Sequence, residues 1–268
     1  MIEIDRKVRK VFVMKEKELE NVLKEHNQEH IFEAYKKLDE KGKEKLIAQI
    51  EKIDWSILAM AGHEELAQER GKLVPLSALE VPEIEKNRAK YEQVGLDAIK
   101  AGKVGAVLLA GGQGTRLGFD GPKGKYNIGI TKEMYIFERL IRNLQDVTDK
   151  VGCFVPLYIM TSDKNHNETT AFFEEKDYFG YPKDFVKFFK QEMAPSVDFN
   201  GKLFMEAPDS LSLSPNGNGG WFYSMAVTGV LNDVKVRGVE WLNIFAVDNV
   251  LQRIADPVFV GATLDSGR

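Results

Sequence analysis

Cysteine is nearly absent: Cys153 is the only one in 268 residues. A single thiol excludes an internal disulfide and any Cys-based zinc centre, and it fits a reducing cytosol, so a cytoplasmic location is expected. Long apolar runs are missing as well, since no stretch approaches the roughly 20 residues of a membrane-spanning helix, and no membrane association is expected. The opening residues, MIEIDRKVRKVFVMKEKELE, are too charged for a signal peptide. Basic excess is also lacking: 37 Lys and Arg stand against 41 Asp and Glu, a formal net charge of -4. The overall field therefore does not draw in nucleic acid or anionic lipid, and any polyanionic ligand must be held by local groups. That favours a small ligand. There is no internal repeat and no low-complexity tract.

What is present is a chain with 43% apolar and 29% charged residues, enough for one large core or two unequal domains. Residues 14–101 are rich in Glu, Lys, Leu and Ala with apolar positions at helical spacing. They read as amphipathic helices broken at Gly42 and around GKLVPLSALEVPEIE, a helical extension over 1–101. From 104 the texture changes. VGAVLLA, VPLYIMT, DFVKFFK and EWLNIFAV read as strands, separated by helical patterns in MYIFERLIRNLQDV, NETTAFFEEKD and WFYSMAVTGVLNDVKVR. Strands alternating with helices predict an α/β core over 102–268, with a mostly parallel sheet covered on both faces.

VGAVLLA delivers its carboxyl end into AGGQGTRLG, and parallel sheets bind ligands outside the carboxyl ends of their strands. Glycine loses more backbone freedom on folding than any other residue. A loop this rich in it implies that bare backbone is needed: Gly111, Gly112 and Gly114 can turn N–H groups toward phosphate oxygens, with Arg116 and Lys123 supplying full charges. The loop lacks the Gly-Lys-Ser/Thr ending of a P-loop, and Leu117 stands where the third glycine of a dinucleotide fingerprint belongs. Hydride transfer is thereby disfavoured. VDN, Val247–Asn249, ends the strongest predicted strand and places Asp248 where a Mg²⁺ bridging phosphate oxygens would be held.

LAGGQGTRLG at 109–118 followed by PKG at 122–124 resembles the signature of the UDP-sugar pyrophosphorylases, and most nearly that of the UDP-N-acetylhexosamine pyrophosphorylases. The resemblance continues through IMTS at 159–162, FFKQEM at 188–193, SPNGNGG at 214–220 and FAVDNVLQRIADPVFVG at 245–261. It implies a three-layer α/β/α nucleotidyltransferase fold, Rossmann-like and GT-A-like. It further implies a uridylyltransferase that joins UTP and a sugar 1-phosphate into a UDP-sugar, with Mg²⁺ and release of pyrophosphate. N-acetylglucosamine or N-acetylgalactosamine 1-phosphate is the expected acceptor. Under this reading Leu109, Ala110, Gly111 and Gly112 meet the nucleotide, Gln191 the uracil edge, Gly217 the uridine and Asn218 the sugar. In-line displacement between two anions is governed by positioning and charge neutralisation. Arg116 is accordingly assigned to the β- and γ-phosphates, Lys123 to the α-phosphoryl or sugar phosphate, and Asp248 to the metal.

The chain departs from the family pattern at Glu192, where a glycine is usual, and at Trp221, where a smaller apolar residue is. It ends at Arg268, so that the resemblance covers about two-thirds of a typical member, and the family's later sugar-contacting strands, second acidic metal residue and late lysine fall outside it. Two other readings stay open: the same chemistry on glucose or galactose 1-phosphate, and a non-catalytic uridine-nucleotide-binding module. Elsewhere, His26 and His30 read as a solvated helix face rather than a metal pair, and Trp55 and Trp241 as core. His166 follows a strand end, where it can touch substrate or simply start a helix. Asp256-Pro257 reads as a capped helix start.

Overall fold

The structure, a computed structural model, describes residues 14–58, 72, 74–75 and 78–267. The part of the helical reading that falls at 59–71, and the opening residues 1–13, lie outside the described residues. In chain order the elements begin with α1 (Glu16–Glu25), α2 (Glu29–Tyr35), α3 (Glu40–Ile50), α4 (Trp55–Leu58) and α5 (Val81–Lys100). Then come β1 (Val104–Leu109), α6 (Ile136–Val151), β2 (Leu157–Thr161), α7 (His166–Glu175) and β3 (Val186–Lys190). Four short strands follow, β4 (Met193–Pro195), β5 (Met205–Ala207), β6 (Ser210–Leu211) and β7 (Leu213–Pro215). The described chain closes with α8 (Trp221–Val227), α9 (Val230–Val236), β8 (Trp241–Ala246) and α10 (Pro257–Ser266).

The chain divides into two compact units, one running to Pro75 and including Met193–Pro215, the other made of Leu76–Glu192 and Asn216–Arg268. The division differs from the boundary at 101/102 read from composition. Helix α5 belongs to the second unit, and a segment from the middle of the chain belongs to the first. The first unit buries Leu19 and Leu23 of α1, Ile31, Phe32 and Tyr35 of α2, and Leu46, Ile47 and Ile50 of α3 in one cluster, closed by Leu203 and Leu211 from the 193–215 segment. Helical spacing puts these apolar positions on one face, so burial rather than propensity holds the short helices. Gly42 does not break a helix: it lies in the first turn of α3, its N–H donating to the Asp39 cap at 2.8 Å. The two histidines sit on different elements. His26 caps α1 and stacks on Trp55 at 4.2 Å between ring centroids, while the His30 Nε2 lies 2.9 Å from the Leu203 carbonyl.

The second unit is built on a parallel sheet in the order β3-β2-β1-β8. All four sheet strands match the runs read from sequence. Strand alternation splits β1 between two cores. Ala106 and Leu108 join Leu140, Ile141 and Leu144 of α6, Phe172 and Phe173 of α7, Ile99 of α5 and Val260 of α10. Val107 and Leu109 join Tyr158 and Met160 of β2, Phe189 of β3, Met225 of α8 and Val234 of α9. Two cores on opposite faces make the three layers. The helical pattern over 221–237 is divided into α8 and α9 at Gly229, whose φ of 80° is left-handed. Helices α5 and α10 meet backbone to backbone: a Cβ on Gly261 would lie 1.8 Å from the Tyr91 carbonyl oxygen, and one on Gly95 1.9 Å from that of Pro257. Asp256 caps α10, accepting from Val258 and Phe259 N–H groups at 2.8 and 3.1 Å. Trp241 is not core. It lies on the edge strand β8, 37% exposed, beside an apolar hollow lined by Ile244, Phe259 and Leu264.

Candidate functional site

Each sequence-derived site residue lies in the second unit, at or beyond the carboxyl ends of the sheet strands. β1 is held to its end: the Leu109 carbonyl accepts from Val247 N–H at 3.1 Å, and Ala110 N–H donates to Met160 at 2.8 Å. There the ladder stops. The N–H groups of Gly111, Gly112 and Gln113 donate to no described residue. Carbonyls of the same stretch are taken instead. Asn165 Nδ2 donates to Ala110 O at 2.9 Å and to Gly112 O at 3.3 Å, and Lys123 N–H donates to Gly112 O at 3.2 Å. Three consecutive free donors form the kind of backbone nest that binds anions.

A Cβ on Gly111 would come within 2.7 Å of Gln191 Nε2, so a side chain there would push the Gln191 amide aside. Gln191 follows β3, fixed by its N–H to Thr161 O at 2.7 Å, and is only 6% exposed. Its side-chain amide makes no hydrogen bond to any described residue. Its amide atoms keep a solvent-accessible face and so are open to a ligand. The side-chain oxygen of Gln113, a residue the sequence reading passed over, is buried and unpartnered among the described residues, which is costly unless a ligand supplies a partner.

Lys123 opens a tight turn, Lys123–Lys125, that lies flat on the ring of Phe137: a Cβ on Gly124 would stand 2.2 Å from the ring. The turn aims the mostly buried Lys123 side chain at the carboxylate of Asp248, with which it forms an ion pair. Asp248 is 64% exposed and follows directly on the residues that extend β8. Arg116 lies in the turn Thr115–Leu117, exposed and without a hydrogen bond or ion pair to any described residue, so its guanidinium is not brought onto that pair. Gly217 and Asn218 are exposed in the loop before α8. The loop is tied one residue beyond Gln191, since Asn216 N–H donates to Glu192 O at 3.1 Å and Glu192 N–H to Ser224 Oγ at 3.0 Å. Glu192 makes both bonds through its backbone.

His166 begins α7 with Nδ1 2.8 Å from Thr161 Oγ1; burial pushes its pKa down, the Lys190 charge adds to this, and Asp163 opposes it. Asn165, one residue earlier, is fully buried and was missed by the sequence reading, which fixed on His166. Its position just ahead of a helix that follows a strand is where a capping residue is expected, but its side chain makes no cap bond to α7 and turns to Ser162, Ala110 and Gly112 instead. For a metal, no group of three or more His, Cys, Asp or Glu exists among the described residues. Mg²⁺ is commonly held by one or two carboxylates and completed by phosphate oxygens and water. Were a Mg²⁺ bound together with phosphates, the exposed carboxylate of Asp248 is the side chain that would hold it.

The chain matches the model of a family described as UTP–glucose-1-phosphate uridylyltransferase over residues 40–268. It is 34% identical over 268 residues to the UDP-N-acetylhexosamine pyrophosphorylase-like protein 1 of Mus musculus, an alignment covering 92% of this chain and 52% of the mouse protein. It is 36% identical over 264 residues to UDP-N-acetylglucosamine diphosphorylase 2 of Arabidopsis thaliana, covering 91% of this chain and 52% of that protein. Among solved structures, the uridine diphosphate N-acetylglucosamine pyrophosphorylase of Trypanosoma brucei superposes with a TM-score of 0.78 at 28% identity, covering 96% of this chain and 56% of that one. The chain thus spans about half the length of the curated relatives it matches, less than the two-thirds read from its motifs.

Proposed function

The chain belongs to the family of UTP–glucose-1-phosphate uridylyltransferases, and from that premise we propose that it carries the uridine-nucleotide site of an enzyme joining UTP to a sugar 1-phosphate. The observation that carries the reading is the row of free N–H groups at Gly111, Gly112 and Gln113, beside the unpaired, solvent-accessible amide of Gln191 and the Lys123–Asp248 pair. The donors suit phosphate oxygens, and an amide offers both a donor and an acceptor to the imide edge of uracil. Lys123 neutralises phosphate charge where the sugar phosphate displaces pyrophosphate, and Arg116 is free to fold onto the β- and γ-phosphates. Mg²⁺, held by Asp248 and the phosphates, supplies further charge neutralisation when bound. The names of the relatives support an N-acetylhexosamine 1-phosphate as the acceptor, with Asn218 at the sugar.

Calorimetric titration with UTP, CTP, ATP and GTP tests the base reading: UTP binds tightest, and equal affinities overturn the assignment. A second reading is a uridine-nucleotide-binding module without turnover. Pyrophosphate release from UTP with N-acetylglucosamine 1-phosphate or glucose 1-phosphate separates the two readings and the two sugars.

A further inference from the structure

Asn165 touches no surface, yet its amide holds three backbone groups at once, one just after β2 and two in the glycine loop. It is 0% exposed; Oδ1 accepts from Ser162 N–H at 2.8 Å, and Nδ2 donates to Ala110 O at 2.9 Å and Gly112 O at 3.3 Å. A peptide unit is planar and trans, so its C=O and N–H point in opposite directions. The Ala110 carbonyl shares a peptide unit with the Gly111 N–H, and the Gly112 carbonyl shares one with the Gln113 N–H. Drawing those two carbonyls inward turns those two N–H groups outward, where they donate to no described residue. Gly112 O is also the acceptor for the Lys123 N–H at 3.2 Å, so the same anchor fixes the start of the turn that carries the ammonium.

We propose that Asn165 is a positioning residue for phosphate recognition: it orients the Gly111 and Gln113 N–H groups and seats Lys123 without contacting the nucleotide. The inference rests on the reading of the glycine loop as a phosphate site. Only a side chain with two donor protons and an acceptor at this length satisfies all three partners. A carboxylate of the same shape would keep the bond from Ser162 N–H but set its second oxygen against both carbonyls, releasing both peptide units.

The test compares UTP with uridine, which lacks phosphates, on wild type, Asn165→Asp and Asn165→Ala, using calorimetry for UTP and ligand-observed NMR for uridine. Losing charge-assisted bonds to phosphate corresponds to about ten- to a hundredfold in affinity, so UTP binding falls by that factor in both variants while uridine binding changes by less than about threefold. Thermal unfolding identifies a variant that does not fold; Asn165→Ala, which adds no charge, then carries the comparison. A parallel fall for UTP and uridine means a merely structural role and overturns the proposal, as does unchanged UTP binding in the variants. If wild type shows no advantage for UTP over uridine, the phosphate reading itself fails, and the proposal with it.

Discussion

Lys123 and Asp248 pair with one another, and each is proposed to meet a ligand, phosphate for the lysine and Mg²⁺ for the carboxylate. Removing the lysine leaves the carboxylate unopposed. Lys123→Ala is therefore expected to weaken UTP binding while raising Mg²⁺ affinity in the absence of nucleotide by about fivefold or less, the worth of an ion pair with an exposed member; titration with each ligand separately reads both changes. Gly124→Ala drives a methyl group into the Phe137 ring and is expected to cost about 1–3 kcal/mol of stability as overpacking, with UTP affinity falling as the Lys123 turn lifts. Thermal denaturation and calorimetry measure the two. For His166, burial lowers the folded-state pKa below the ordinary 6.5. As pH falls through that value the unfolded chain takes up a proton before the folded one does, so stability declines below about 6.5 and the contribution is absent above it. His166→Gln is expected to flatten this part of the Tm–pH curve. Glycines, Lys123, Gln191 and Asp248 were legible because their chemistry is local and their order carries a pattern. Asn165 was not, because its role consists of bonds to a loop far away in the chain.

Among the elements, buried strands announced themselves as continuous apolar runs, and all four strands of the parallel sheet were read correctly. The short strands β4 to β7 were not, since two or three residues set no period and their partners are decided by tertiary packing. The α8–α9 division went unseen for a related reason: apolar spacing continues across Gly229 although the backbone does not. The α5–α10 contact was also hidden, because a glycine inside a helical pattern gives no hint of what will lie against it. Gly261→Ala places a methyl on the Tyr91 carbonyl and is expected to lower stability by about 1–3 kcal/mol or more. Urea denaturation shows this as a lower midpoint at unchanged slope.

At the scale of the whole molecule, the first unit is completed by a segment inserted between two parts of the second. Leu211 is buried with the α1–α3 helices, while every proposed ligand contact lies in the other unit. Leu211→Ala is expected to destabilise the first unit by about 2–5 kcal/mol while UTP affinity at temperatures below its transition stays unchanged; a matching loss of affinity counts against independent units. The parallel sheet has a consequence in time. β1 lies between β2 and β8, and β8 is translated long after the other three sheet strands. Until then a nascent chain carries one bare edge on a strand that is buried throughout in the finished protein, a state that invites chaperone binding and slow, long-range closure. Val247 and Asp248, which brace Leu109 and Lys123, arrive with that last strand. The glycine loop and the Lys123 turn are thus synthesised early and gain their contacts with Val247 and Asp248 only when β8 has docked.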